Sequence, residues 1–109
     1  MFARKVSMYL KPNSATELTR RFETEIIPLL RKQQGFQDEI TFLTAGGKEA
    51  FGISLWDRTE DAEAYSRAAY PEVAKLLASF VEGTPKVETY EVSNSTFHKI
   101  PAAVTPSTR

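Results

Sequence analysis

From Phe2 onward, apolar and polar positions alternate: Phe2, Val6, Met8 and Leu10 fall on one side of the chain, with Ala3, Lys5, Ser7, Tyr9 and Lys11 on the other. A period of two is the pattern of a β-strand with one apolar face. Pro12-Asn13 closes it. From Ala15 the period changes. Leu18, Phe22, Ile26, Leu29 and Leu30 recur at steps of three and four, which predicts a helix to about Lys32. Ser14 and Glu17 have the spacing of a capping box at its start. Pro28 lies inside this helix, removes a backbone donor and crowds the previous turn, so a kink or an early end is expected there.

Gln34-Gly35 stops the helix, and a second strand is expected from Phe36 to Thr44, with Phe36, Ile40 and Phe42 on one face and Thr41 and Leu43 on the other. Ala45-Gly46-Gly47-Lys48 suits a hairpin turn with positive backbone angles. Ala50 to Trp56 returns as a third strand, placing Phe51, Ile53 and Leu55 opposite Gly52, Ser54 and Trp56. Asp57 or Thr59 is expected to cap a helix to about Ala68, with Glu60 and Asp61 in its first turn, the favourable sign for that end of the dipole. Pro71 suits the first turn of a third helix through Val81, whose stripe is Val73, Leu76, Leu77 and Phe80. Gly83 and Pro85 stop it, and Lys86 to Val92 reads as a fourth strand. Residues 1–93 are then one domain, and residues 94–109 a polar tail carrying the apolar beads Phe97, Ile100 and Val104.

Strand, helix, two strands in a hairpin, two helices, strand is the order of an α+β, ferredoxin-like fold: a four-stranded antiparallel sheet with helices on one face. The other face should be polar if it meets water. Here Tyr9, Leu43, Trp56 and one of the Val87 or Tyr90/Val92 sets are expected on the side opposite their apolar neighbours, and a chain of 109 residues has no further layer to cover them. A second copy packed sheet against sheet, giving a two-fold homodimer, is the simplest cover.

Composition narrows the chemistry. Fourteen basic and fourteen acidic residues leave no net charge, which argues against a nucleic-acid partner. There is no cysteine, so thiolate metal sites and thiol nucleophiles are excluded, and a single histidine, His98, cannot supply a two-imidazole site. No metal and no other cofactor is expected. No apolar run approaches the roughly 20 residues of a membrane span, and Met1-Phe2-Ala3-Arg4-Lys5-Val6 lacks the apolar core of a signal peptide, so the expected location is the cytoplasm, away from membranes. Gly46-Gly47 leads into a hairpin and not a helix, so it is no phosphate cradle, and no Gly-x-Ser-x-Gly elbow occurs. The acidic group Asp57, Glu60, Asp61 and Glu63 is explained by a helix start. His98 is either an exposed tail residue or, as the only imidazole, an axial haem ligand or general base. Trp56, at a strand end before a helix, is either a packing plug or one wall of a cleft between sheet and helices.

The run Ile53-Ser54-Leu55-Trp56-Asp57-Arg58-Thr59-Glu60-Asp61-Ala62-Glu63-Ala64-Tyr65 resembles the strand-to-helix signature of antibiotic biosynthesis monooxygenase-like domains. The likeness extends in outline from Ala3 to Val92, through Lys11-Pro12, Gln34-Gly35-Phe36 and Gly83-Thr84-Pro85. It implies a dimeric α+β barrel with a ligand cleft between helices and sheet. Some members oxidise polycyclic phenols with oxygen and neither metal nor flavin; others degrade haem. The chain departs from both patterns. Tyr65, or Ser66 with a slip of one, stands where members often carry a helix histidine. Lys5 or a near neighbour replaces the first-strand asparagine of haem degraders, and Gly52 replaces an asparagine four residues before the tryptophan of phenol oxidisers. Only Trp56 carries over.

Together these readings describe a homodimeric monooxygenase-like domain with a cleft for a small aromatic or lipophilic ligand. If it is an enzyme, cofactor-independent oxygenation is the expected class, with no catalytic residue named. Trp56 would shape the pocket, Ser54 would orient a substrate oxygen, and Tyr65 would donate a hydrogen bond or relay a proton. The alternative is a non-catalytic ligand-binding or dimerisation module.

Overall fold

The computed structural model describes residues 1–100; of the expected tail, residues 101–109, Val104 among them, lie outside the described residues. Four strands, β1 (Phe2–Leu10), β2 (Phe36–Leu43), β3 (Glu49–Trp56) and β4 (Val81–Glu91), form one antiparallel sheet in the order β2-β3-β1-β4. The helices pack on one face, giving the ferredoxin-like α+β arrangement expected from the element order. None of these helices is long and apolar enough to cross a membrane.

The first helical span keeps its expected length but changes its winding. α1 (Ala15–Arg21) passes through a π-helical turn, Phe22–Ile26, into α2 (Ile27–Arg31). Pro28 sits in the first turn of α2, where its missing donor is harmless, and the wider turn before it absorbs the crowding a proline imposes. In that turn the Ile27 N–H donates to the Phe22 carbonyl, five residues back. Ser14 occupies the N-cap of α1, but its side chain makes no capping bond, so the expected capping box does not form. α3 (Thr59–Ala68) likewise starts at Arg58, in extended backbone, with neither Asp57 nor Thr59 as its cap. Asp57 Oδ1 instead accepts from Gln37 Nε2 at 2.7 Å, which ties the end of β3 to β2. Gly35 holds φ +79°, and a Cβ on it would lie 2.0 Å from the Asp61 carboxylate, so only glycine lets this turn pass beneath α3.

α4 (Tyr70–Leu77) ends four residues before Val81, which belongs to β4. Gly83 and Pro85 therefore lie within a strand and not in a loop before it. β4 is an edge strand, where a proline disturbs no ladder on its open side, and its register shifts opposite Ser7 and Tyr9.

Register decides which residues face the helices. Phe2, Arg4, Val6 and Met8 pair with Trp56, Ser54, Gly52 and Ala50, and this set lies under the helices. Trp56 is thus on the helix face, and not on the open face where the alternation had been expected to put it. It is fully buried, as are Leu18, Ile26 and Leu77. Each such side chain contributes about 1.5–3 kcal/mol relative to exposure. Phe51, Ile53 and Leu55 point the other way. β2 carries a bulge between Phe36 and Asp38, so Phe36 pairs with Trp56 on the helix side while Ile40 and Phe42 pair with Ile53 and Phe51 on the open side. Phe36, Ile40 and Phe42 do not share one face, because the extra residue inverts the phase.

The open face is apolar. Ile40, Phe42, Tyr9 and Tyr90 are exposed, and the Phe42 and Phe51 rings stack at 4.8 Å. Past β4, residues 92–98 cross part of this face, with Phe97 near Ile40, Phe42, Ile53 and Leu55. His98 Nε2 contacts Asp38 Oδ2, so the histidine is held against β2 and is not free in solvent.

Candidate functional site

Between sheet and helices lies a cavity of about 30 Å³. Its floor is Arg4, Val6 and Met8 of β1, Glu39 of β2, and Gly52 and Ser54 of β3; its roof is Phe22, Ile26, Leu30, Tyr65, Tyr70, Val73 and Leu77. The walls are mainly apolar, with the polar groups of Arg4, Glu39, Ser54 and the two tyrosines gathered among them. This volume admits about one or two waters, and an aromatic ring would have to displace side chains. A wider groove of about 310 Å³ lies outside it, between the π-turn and β2, and Phe22 and Glu39 border both spaces.

The three residues singled out in sequence meet here in a particular order. Ser54 and Tyr65 line the cavity; Trp56 does not, and packs behind Tyr65 with ring centroids 4.9 Å apart. Phe36 meets the other side of the indole edge-on at 5.5 Å. The Trp56 indole N–H donates to Ser54 Oγ at 2.9 Å, and Ser54 Oγ donates to the Arg4 carbonyl at 3.4 Å. The hydroxyl of Ser54 is therefore engaged on both sides, which satisfies a buried indole donor.

Arg4 and Glu39 were not singled out. Arg4 is 4% exposed, and among the described residues its guanidinium has no carboxylate within ion-pairing distance. Its charge is met instead by π faces: the guanidinium carbon lies 4.2 Å from the Tyr70 ring centroid and 5.3 Å from that of Tyr65. A signal for Arg4 was present in the alternation, since it occupies an apolar-face position of β1. Glu39 reaches the helix side because of the bulge in β2, pairing with Ser54. Thr41 Oγ1 donates to Glu39 Oε2 at 2.6 Å.

The electrostatics follow from this burial. Desolvation pushes the Glu39 carboxyl above its ordinary value, and the Thr41 hydrogen bond offsets part of that rise. Desolvation also pushes Tyr65 up to about 12, against the pull of Arg4, so Tyr65 stays a neutral hydroxyl donor across the physiological range. The cavity thus combines a fixed cation, a carboxylate inclined to take a proton, and a hydroxyl that keeps its own.

No family model matches this sequence, and no curated protein matches it. Solved structures do match. A monooxygenase from Streptomyces coelicolor, solved with the ligand nanaomycin D, superposes with TM-score 0.73 at 15% identity over 93% of this chain and 92% of that one. A Bordetella bronchiseptica protein, named as a candidate antibiotic biosynthesis monooxygenase, gives 0.72 at 12% identity over 85% and 97%. A Nitrosomonas europaea protein of unknown function gives 0.71 at 19% identity over 93% and 94%. At these identities the likeness is one of backbone and topology. The chain has the fold of the antibiotic biosynthesis monooxygenases.

Proposed function

We propose that this protein is a homodimeric, cytoplasmic monooxygenase-like enzyme that takes a small aromatic molecule between its sheet and helices and oxygenates it without a metal or organic cofactor. The observation that carries this reading is the placement of ionisable and hydrogen-bonding groups, Arg4, Glu39, Ser54 and Tyr65, inside an otherwise apolar cavity. Burying Arg4 and Glu39 carries a desolvation cost that a packed apolar core alone gives no reason to bear, and a polar ligand would offset it. An electron-rich phenol can itself supply the electrons that O₂ needs: the ring gains one oxygen as a carbonyl, and the other oxygen leaves as water with the two hydrogens lost by the phenol. The protein's part is then to hold the ring, favour its ionised form and keep bulk water out. That the similar Streptomyces coelicolor monooxygenase was solved with the ligand nanaomycin D supports a small-molecule guest.

A second reading is a non-catalytic ligand-binding or dimerisation module, and the small cavity volume favours the dimerisation form of it. One panel separates the two. Planar phenols of increasing size are titrated while the emission of Trp56, the single tryptophan, is followed together with oxygen consumption. An emission change with oxygen uptake supports the enzyme, and a change without uptake supports the binding module. No response from any member leaves dimerisation as the function.

A further inference from the structure

Arg4 and Glu39 both line the cavity, yet they do not neutralise each other: no ion pair joins them, and among the described residues neither is ion-paired to another side chain. The rings of Tyr65 and Tyr70 meet Arg4 through their faces, which answers its charge but accepts none of its five N–H donors in the usual way. A guanidinium that is almost wholly buried and has no carboxylate partner among the described residues is suited to hold an anionic oxygen. Glu39 is held from one side. Thr41 fixes Oε2, while Oε1 has no hydrogen-bond donor among the described residues. Glu39 also borders both the inner cavity and the outer groove, so a guest arriving through the groove passes its carboxylate.

We propose that Arg4 and Glu39 act together on an acidic hydroxyl of the guest, a phenol or enol: Glu39 accepts its proton and Arg4 holds the oxyanion that remains. The guest's O–H bond breaks, its electron pair stays on the oxygen, and the proton passes to the Glu39 carboxylate. The site contains one cation and one anion before the transfer and the same after it, so the step moves negative charge toward Arg4 without burying more of it. Burial inclines Glu39 to be protonated, which favours the same direction, and Tyr65 remains a neutral donor able to share the oxyanion. The ligand class follows: a planar, conjugated molecule bearing a weakly acidic hydroxyl, in preference to a hydrocarbon or a cation.

This proposal rests on the cavity accepting an aromatic guest, so its test must tell the two apart. The probe is 4-nitrophenol, whose ionised form is yellow, added to the full chain in weak buffer at a pH where the free probe is mainly neutral. Binding is followed by Trp56 emission, ionisation by the yellow band and proton balance by a pH indicator. Bound probe should be yellow, with no proton released to the buffer. Probe that binds and stays colourless, or turns yellow with release of a proton, overturns the proposal while leaving the cavity as a ligand site. No binding by any phenol removes the functional reading as well. Arg4→Met should lower affinity for the ionised probe about tenfold or more, the loss expected for one charge-assisted hydrogen bond. In Glu39→Gln, a yellow bound probe must release its proton to the buffer. Arg4→Met with wild-type binding of ionised probe, or Glu39→Gln with a yellow probe and no release, each overturns it. If Arg4→Met fails to fold, the wild-type colour and proton balance decide alone.

Discussion

Glu39 Oε2 lies over Gly52, where a Cβ at that position would come within 2.8 Å of it. One strand's missing side chain is therefore the other strand's space for a carboxylate. Gly52 is also where the resemblance places an asparagine that helps hold a substrate oxygen, so the group offered to a guest at this point comes from β2 and not from β3.

Gly52→Ala tests that exchange. The obstructing atom is the end of a flexible side chain, and alanine is preferred to glycine within a strand by roughly 0.5–1 kcal/mol, so the melting temperature should stay close to wild type. The carboxylate must move, however, and the ionisation of bound 4-nitrophenol should be lost. Calorimetry and the absorption spectrum of the bound probe check the two halves.

Trp56→Phe should destabilise the fold by about 1–3 kcal/mol, as it empties part of a fully buried site and leaves Ser54 without its indole donor. Because the indole packs behind Tyr65 and does not line the cavity, ligand affinity should change less than stability does. Denaturant unfolding and a binding titration on the same variant provide the comparison.

Glu39 should make stability depend on pH in a definite direction. Its folded-state value lies above the ordinary 4.5, so the folded chain binds the proton more tightly than the unfolded chain, and stability falls as pH rises from about 4.5 through the folded value. Glu39→Gln removes this slope. Measured from acid toward neutral pH, the variant should gain on wild type.

Tyr65 repeats the effect at the alkaline end. With its folded value pushed up to about 12 from 10, stability is lost between those values as pH rises, because only the unfolded chain ionises readily. Tyr65→Phe should lose less stability than wild type across that interval in urea unfolding at stepped pH.

The exposed Ile40, Phe42 and Tyr90, continued by Phe51, Ile53 and Leu55, should be buried by a second copy over more than about 1,000 Å². Sedimentation at low micromolar concentration should give a dimer, and Ile53→Asp should give a folded monomer. A wild-type monomer would defeat the dimer.

The order and kind of the elements were legible in the sequence because strands and helices bury their apolar side chains at different periods, and Phe2 to Leu10 and Leu18 to Leu30 keep those periods cleanly. Trp56 was visible too, as an unusual residue at a strand-to-helix junction, whereas Ser54 and Tyr65 were reached only through the family resemblance of the run around it. Which side of the sheet each residue faced was decided elsewhere. The small residues Ala50, Gly52 and Ser54 leave the helix side of β3 looking the less apolar, so local pattern favoured Phe51, Ile53 and Leu55 for the core; pairing with β1 sent them outward. The bulge near Gln37 exists only when β2 lies against β3, and it alone turns Glu39 toward the helices. Arg4, from β1, and Glu39 are 35 positions apart, and the fold brings both to one cavity, where neither has an ion-pair partner among the described residues. A period along one strand reports burial on that strand; register between strands decides which charges share a cavity.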